Sequence, residues 1–210
     1  MIAEVPISDL YPDYPNALKI ERGPGQGKLY YLATLEVSHP VESIKPLSQG
    51  ISISRSFYPA DDEACSDGGC EPIQKTLTGE RVTVRVTLTL PNDAIHLLVE
   101  DYIPAGAEIL DPRLKTSQLG EGDAPIAEVK FDSRHPFDSG WGWWYFNDAQ
   151  IFDDHISWAA DYLPAGTYEL TYTIATFQPG EYLVLPARAW QFYFPEVQAN
   201  SAGTVFEITP

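Results

Sequence analysis

Three features of this chain predict an all-β fold, an antiparallel β-sandwich preceded by an extended N-terminal segment. Residues 81–90 and 168–174 alternate large apolar side chains with small or polar ones, the period of a half-buried strand. Proline- and glycine-rich turn signals separate such runs, at Pro91-Asn92-Asp93, Pro104-Ala105-Gly106, Pro164-Ala165-Gly166 and Gln178-Pro179-Gly180. Proline presets φ and glycine supplies backbone conformations that other residues avoid. No stretch carries an amphipathic pattern longer than about three helical turns. Many short strands without alternating helices make a sandwich.

Taken in order, residues 1–27 contain Pro6, Pro12 and Pro15, which block helix and leave the chain extended. Residues 29–37 and 50–57 read as strands, and 59–78 as an acidic loop holding both cysteines. The cleanest strand is 81–90, where Val82, Val84, Val86, Leu88 and Leu90 alternate with arginine and threonine, so one face is buried and the other meets water. Residues 95–102 return from the turn at 91–93. The segment 107–114 is irregular, and 116–123 is polar loop. Asp101-Tyr102-Ile103-Pro104-Ala105-Gly106 recurs sixty residues later as Asp161-Tyr162-Leu163-Pro164-Ala165-Gly166. Their flanks differ, so these are two equivalent turns after strands ending in Asp-Tyr. The strand 168–174 adds Leu170, Tyr172 and Ile174 to the expected core. A second long strand, 181–194, closes on Pro195-Glu196-Val197.

The chain has 210 residues and 44% hydrophobic content, enough for one sandwich-sized domain with a sizeable core. Thirty acidic residues against 13 basic give a net charge of −17. That balance argues against nucleic acid and anionic membrane as partners, since phosphate binding needs a basic face. No apolar run approaches the roughly 20 residues of a membrane-spanning helix. Met1-Ile2-Ala3-Glu4 lacks the basic start and apolar centre of a secretory signal.

The cysteines lie at Cys65-Ser66-Asp67-Gly68-Gly69-Cys70. A local disulfide formed in an oxidising compartment is the favoured reading, and closing so short a loop stabilises by roughly 2 kcal/mol. Free thiols and a zinc half-site stay open as alternatives, although zinc needs two more ligands and His39, His96, His135 and His155 are scattered. Ser139-Gly140 has no strand-turn-helix context of the kind a nucleophile elbow needs. Asp153, Asp154, Glu63 and Asp132 supply acids in no glycosidase arrangement. The chain therefore reads as non-catalytic and without a cofactor or metal.

The densest aromatic run is Trp141-Gly142-Trp143-Trp144-Tyr145-Phe146. Strand alternation would send residues such as Trp144 and Phe146 into the core. The alternative is an exposed carbohydrate- or peptide-binding surface formed by Trp141, Trp143 and Trp144. Asp132, Asp138, Asp148, Asp153 and Asp154 match no calcium loop, since calcium takes about six to eight oxygens; solvated acids bonding nearby backbone N–H groups are expected instead.

Residues 151–197 carry, in order, the Asp153-Asp154 pair, the Pro164-Ala165-Gly166 turn, a Thr-Tyr strand, the Pro179-Gly180 turn, Pro186-Ala187-Arg188-Ala189, and Tyr193-Phe194-Pro195-Glu196-Val197. That order resembles the C-terminal macroglobulin-like domain of bacterial alpha-2-macroglobulins, thioester-containing protease traps. Upstream, Ile20-Glu21-Arg22-Gly23 with Gly27-Lys28-Leu29-Tyr30-Tyr31, Gly50–Tyr58 and Asp101–Glu108 agree in order. Two departures stand out: Phe152 and His155 occupy places where the family often has arginines, and 131–144 is unusually aromatic.

The resemblance implies residues 1–40 as a remnant of a preceding CUB-like region and 41–210 as the terminal macroglobulin-like domain. It implies an extracytoplasmic location within a longer protein, with thioester and CUB-like domains of the same chain as partners and proteases met through the whole parent. Neither cysteine lies in a Cys-x-Glu-Gln thioester context, so the reactive bond belongs elsewhere in such a parent. In the family a tyrosine of the terminal domain helps shield that bond from water. The matching position here is Tyr193.

Overall fold

The structure, a computed structural model, describes residues 5–11, 13–28, 30, 40–60, 65, 70–111, 128–129 and 143–210. They fall in two compact units, Met1–Ser38 and His39–Pro210. In the first, the described residues form one 3-10 turn, Ile7–Asp9, and otherwise run without regular structure. Asn16 staples its own approach there, donating to the Tyr11 carbonyl and accepting the Tyr11 N–H, both at 2.9 Å. The strand read over 29–37 lies, apart from Tyr30, outside the described residues.

The second unit is all-β. Its strands are β1 (Leu47–Gln49), β2 (Ser52–Pro59), β3 (Lys75–Leu77), β4 (Arg81–Leu90), β5 (Ala94–Tyr102), β6 (Ala107–Ile109), β7 (Glu128–Val129), β8 (Gln150–Ile151), β9 (His155–Leu163), β10 (Gly166–Thr176), β11 (Gly180–Val184), β12 (Arg188–Gln191), β13 (Phe194–Asn200) and β14 (Thr204–Thr209). The 3-10 turns of this unit have three residues each, and Cys65 is in helical conformation. The first sheet has the order β1-β13-β12-β5-β9-β8, and the second runs β2-β4-β10-β6 with β7 also on β10. Their inner faces pack together: Trp158 of β9 lies 5.9 Å from the Tyr172 ring of β10, and Phe146 lies 5.9 Å from Tyr168.

β4 follows its alternation, with Val82, Val84, Val86, Leu88 and Leu90 all buried. Leu170, Tyr172 and Ile174 of β10 are buried too, but so are Thr171 and Thr173. β10 is therefore covered on both faces at its centre rather than half-buried. Along its edges it pairs with β4 on one side and with β6 and β7 on the other.

Both Pro-Ala-Gly turns are pinned by tyrosines. Tyr168 Oη donates to the Pro164 carbonyl at 2.9 Å. A Cβ added at Gly106 would lie 2.5 Å from the Tyr182 ring, so only glycine admits that ring.

Four strand readings are corrected. The stretch 181–194 is not one strand: β11 belongs to a third sheet, ordered β11-β14-β3, while β12 and β13 belong to the first. Pro186 lacks the N–H a continuing ladder needs, and Leu185-Pro186-Ala187 carry the chain between sheets. Pro195 does not end a strand either. Trp190 pairs with Gln198 but Gln191 with Phe194, so Pro195-Glu196-Val197 form a bulge inside β13, where a residue without an N–H is tolerated. Within 59–78, read as loop, Lys75–Leu77 pairs in parallel with β14, and within 107–114, read as irregular, Ala107–Ile109 forms β6 on β10. The third sheet closes onto the sandwich through Phe206, whose ring is 4.7 Å from Phe57.

A charged network crosses the core. Arg55 of β2 donates from Nη1 to Asp101 Oδ1 at 2.8 Å, to the Tyr102 carbonyl at 3.0 Å and to the Leu185 carbonyl at 2.8 Å. Tyr172 Oη donates to Asp101 Oδ2 at 2.8 Å. The side chains of Arg55 and Asp101 are 1% and 0% exposed. Burial pushes the Asp101 carboxyl up from its ordinary range, against the pull of Arg55. Burial, helped by the Asp101 charge, pushes the Tyr172 phenol well above its ordinary 10.0.

A raised phenol has a defined consequence. Above pH 10 or so the unfolded chain releases the Tyr172 proton while the folded chain keeps it. The folded state then binds more protons, and stability falls as pH rises. Tyr172→Phe should lose about 1–3 kcal/mol at neutral pH, because Asp101 loses a donor. It should also lose stability less steeply through the alkaline range. Urea melts at pH 8 to about 11 test this; parallel pH profiles for the two proteins would contradict it.

Candidate functional site

The first sheet carries the site, on its outer face where β5 begins, β9 ends and β12 turns into β13. The turn is Phe192-Tyr193, followed by Phe194, and these rings are 59%, 65% and 52% exposed. The bulge at 195–197 frees this tip from the ladder. The Phe192 N–H, donating to the His96 carbonyl at 2.9 Å, ties it back to β5. Tyr193 meets His96 edge to face at 5.1 Å, and Phe192 meets Tyr193 at 5.1 Å and 86°.

His96 is the only non-glycine residue with positive φ among those described, at 50°. The left-handed region is costly for a residue with a Cβ. The β5–β9 ladder pairs Ile95 with Tyr162 and Leu97 with Ala160 but skips His96 and Asp161. Alternation slips on both strands there: Ile95 and His96 are both exposed, as are Asp161 and Tyr162. Below the tip lies a hollow of about 240 Å³ lined by His96, Leu97, Leu98, Ala159, Ala160, Asp161, Phe192 and Tyr193. Asp161 Oδ1 is 3.6 Å from His96 Nδ1.

Tyr193 is thus a surface residue, not a core aromatic. Trp144, expected to point inward, is 49% exposed. The cause is local, since Trp143–Tyr145 is a 3-10 turn and the period-2 rule does not apply to it. Phe146 is buried. Trp144 lies 5.8 Å from Tyr145, which lies 6.5 Å from Tyr162. Tyr162 pairs across the ladder with Ile95, next to His96. Tyr193 and Trp144, read separately from sequence, thus lie toward the same end of the sheet. Trp141 and the side chain of Trp143 lie outside the described residues.

Sequence reading missed Phe192, His96 and Asp161. An aromatic triplet Phe192-Tyr193-Phe194 was its one available signal; a lone histidine in a strand gave none.

Cys65 and Cys70 are bridged, with Cα atoms 4.8 Å apart, within the usual range of about 4.4–6.8 Å. The Arg85 guanidinium, 4.5 Å from the Tyr58 ring, anchors that loop by donating to the Cys65 carbonyl. Asp154 bonds the His155 ring, Oδ1 to Nδ1 at 2.6 Å; that bond, helped by its own backbone N–H, holds its carboxyl below the ordinary range. Among the described residues no three histidine, cysteine or acidic side chains gather as a metal site. None of the described helices is long and apolar enough to cross a membrane.

Two facing antiparallel sheets with a small third sheet define the protein class as a macroglobulin-like β-sandwich domain. Residues 50–196 match the family described as the bacterial alpha-2-macroglobulin MG10 domain, and the chain belongs to that family. An alpha-2-macroglobulin homolog from Nostoc sp. is 24% identical over 183 residues, covering 85% of this chain and 9% of the relative. The chain thus spans about a tenth of that relative's length. Trypsin-activated alpha-2-macroglobulin from Escherichia coli superposes with a TM-score of 0.60 at 18% identity, over 80% of this chain and 11% of that one. The native Escherichia coli protein gives 0.58 at 19% identity over 82% and 10%. Salmonella alpha-2-macroglobulin reacted with methylamine gives 0.56 at 21% identity over 80% and 10%. At these identities the likeness shows a shared fold.

Proposed function

We propose that this domain is a non-catalytic part of a longer bacterial alpha-2-macroglobulin. In this reading it packs against the thioester domain of the same polypeptide, and Tyr193 covers the thioester until a protease triggers the trap. Residues 1–40 then belong to the end of a CUB-like region and 41–210 to the macroglobulin-like domain. Proteases are engaged only by the whole parent, outside the cytoplasm, where the Cys65–Cys70 bridge is stable.

The observation that carries the reading is the aromatic hairpin tip. Exposed aromatic bands of this kind mark protein interfaces, and a phenol offers a broad apolar cover with one polar end. The expected result is that Tyr193→Ala in the full-length parent speeds thioester loss to methylamine by about tenfold, the effect of about 1.4 kcal/mol on a barrier. Because the ring is 65% exposed, stability should change by no more than about 0.5 kcal/mol. An unchanged methylamine rate in a normally folded variant would remove Tyr193 from the role.

A further inference from the structure

We infer that the groove beside Tyr193 receives the guanidinium of an arginine carried by the surface that docks on the hairpin tip. The inference rests on the docking role proposed above and adds the chemistry of the contact. The groove floor is apolar, with Leu98 of β5 and Ala159 of β9 paired across the ladder. Such a floor suits the methylene stem of a long basic side chain. The small Ala159 side chain leaves the depth a side chain can enter.

The two rims differ in chemistry. One rim is the pair of rings Phe192 and Tyr193, set edge to face at 5.1 Å. Ring faces attract cations, and the flat guanidinium stacks on them better than an ammonium does. The other rim holds the Asp161 carboxylate, whose side chain is 87% exposed. Its 3.6 Å separation from His96 Nδ1 exceeds hydrogen-bond length, so its oxygens stay available to a forked donor. A chain of net charge −17 also attracts cations and repels acidic groups in general.

Backbone geometry points to the same place. Asp101 and Asp161 open the same Asp-Tyr-x-Pro-Ala-Gly pattern, yet Asp101 is fully buried. Asp161 stands outside because it alternates with the buried Ile156, Trp158 and Ala160, and it lies opposite His96, the residue held at φ 50°. Strain of this kind persists where surrounding structure imposes it, and it clusters at binding sites. Here the strained residue and the carboxylate both line the groove.

The test titrates the 210-residue chain with N-acetyl-arginine N-methylamide, reading ring resonances of His96 and Tyr193 and the methyls of Leu98. N-acetyl-citrulline N-methylamide has the same shape without the charge. Saturable shifts are expected from the arginine compound, with the citrulline compound weaker by about tenfold. Asp161→Asn should abolish that difference while leaving the melting curve unchanged. Equal binding of the two compounds, persistence of the difference in Asp161→Asn, or no saturation up to about 100 mM would each overturn the inference. The shield reading is separable from it. Arginine binding with an unaltered methylamine rate in Tyr193→Ala would sink the shield alone. A faster rate in that variant without arginine preference would sink the arginine contact alone.

Discussion

Asp101→Ala is expected to destabilise the domain by about 3–5 kcal/mol, the largest single polar effect in the sandwich. The change leaves the Arg55 guanidinium buried with two carbonyls, of Tyr102 and Leu185, and no counter-charge. It also leaves the Tyr172 hydroxyl without its acceptor. Arg55 Nε and Nη2 have no partner among the described residues, so no second acceptor stands ready. Replacing both charges with apolar groups, Arg55→Met with Asp101→Leu, should cost clearly less than Asp101→Ala alone. Urea unfolding of the three proteins decides the matter. A loss under about 1 kcal/mol for Asp101→Ala would show that the network contributes little beyond packing.

Trp158→Ala should cost about 3–5 kcal/mol by the same measurement, through a cavity at the centre of the sandwich. Trp158 is 1% exposed and packs 5.9 Å from the Tyr172 ring. Its indole Nε1 is buried with no partner among the described residues, so Trp158→Phe should lose markedly less, since it removes a desolvated donor together with some volume. A phenylalanine variant as unstable as the alanine variant would contradict this. Trp158, Tyr172, Asp101 and Arg55 form one chain of contacts, so paired substitutions among them should depart from additivity.

How much of this was legible in sequence depends on the range of the interaction responsible. The alternation from Val82 to Leu90 is local and strong, and β4 buries each of those aliphatic residues. The break of 181–194 was legible in principle, because Pro186 removes an N–H, yet where the chain went next was not. Lys75–Leu77 carries no strand pattern of its own, and its parallel partner β14 lies about 130 residues away. No local rule reaches that far. Trp144 shows the converse failure: its alternation was read correctly as a pattern, but a 3-10 turn has a different period.

The sequence by itself determined the all-β class, the aliphatic faces of β4 and β10 and the places where turns fall. Each follows from properties of neighbouring residues: side-chain alternation along a strand, proline's fixed φ and missing N–H, and glycine's freedom. Only the tertiary structure decided that Asp101 lies in the core while Asp161, in an equivalent hexapeptide, faces solvent. Only it placed Tyr193, His96 and Trp144 at one end of one sheet. The physical reason is phase. Asp101 alternates in step with the buried Leu97 and Val99, whereas Asp161 is out of step with the buried Trp158 and Ala160, and which side of a strand faces the core is decided by sheets that the chain brings together from far apart.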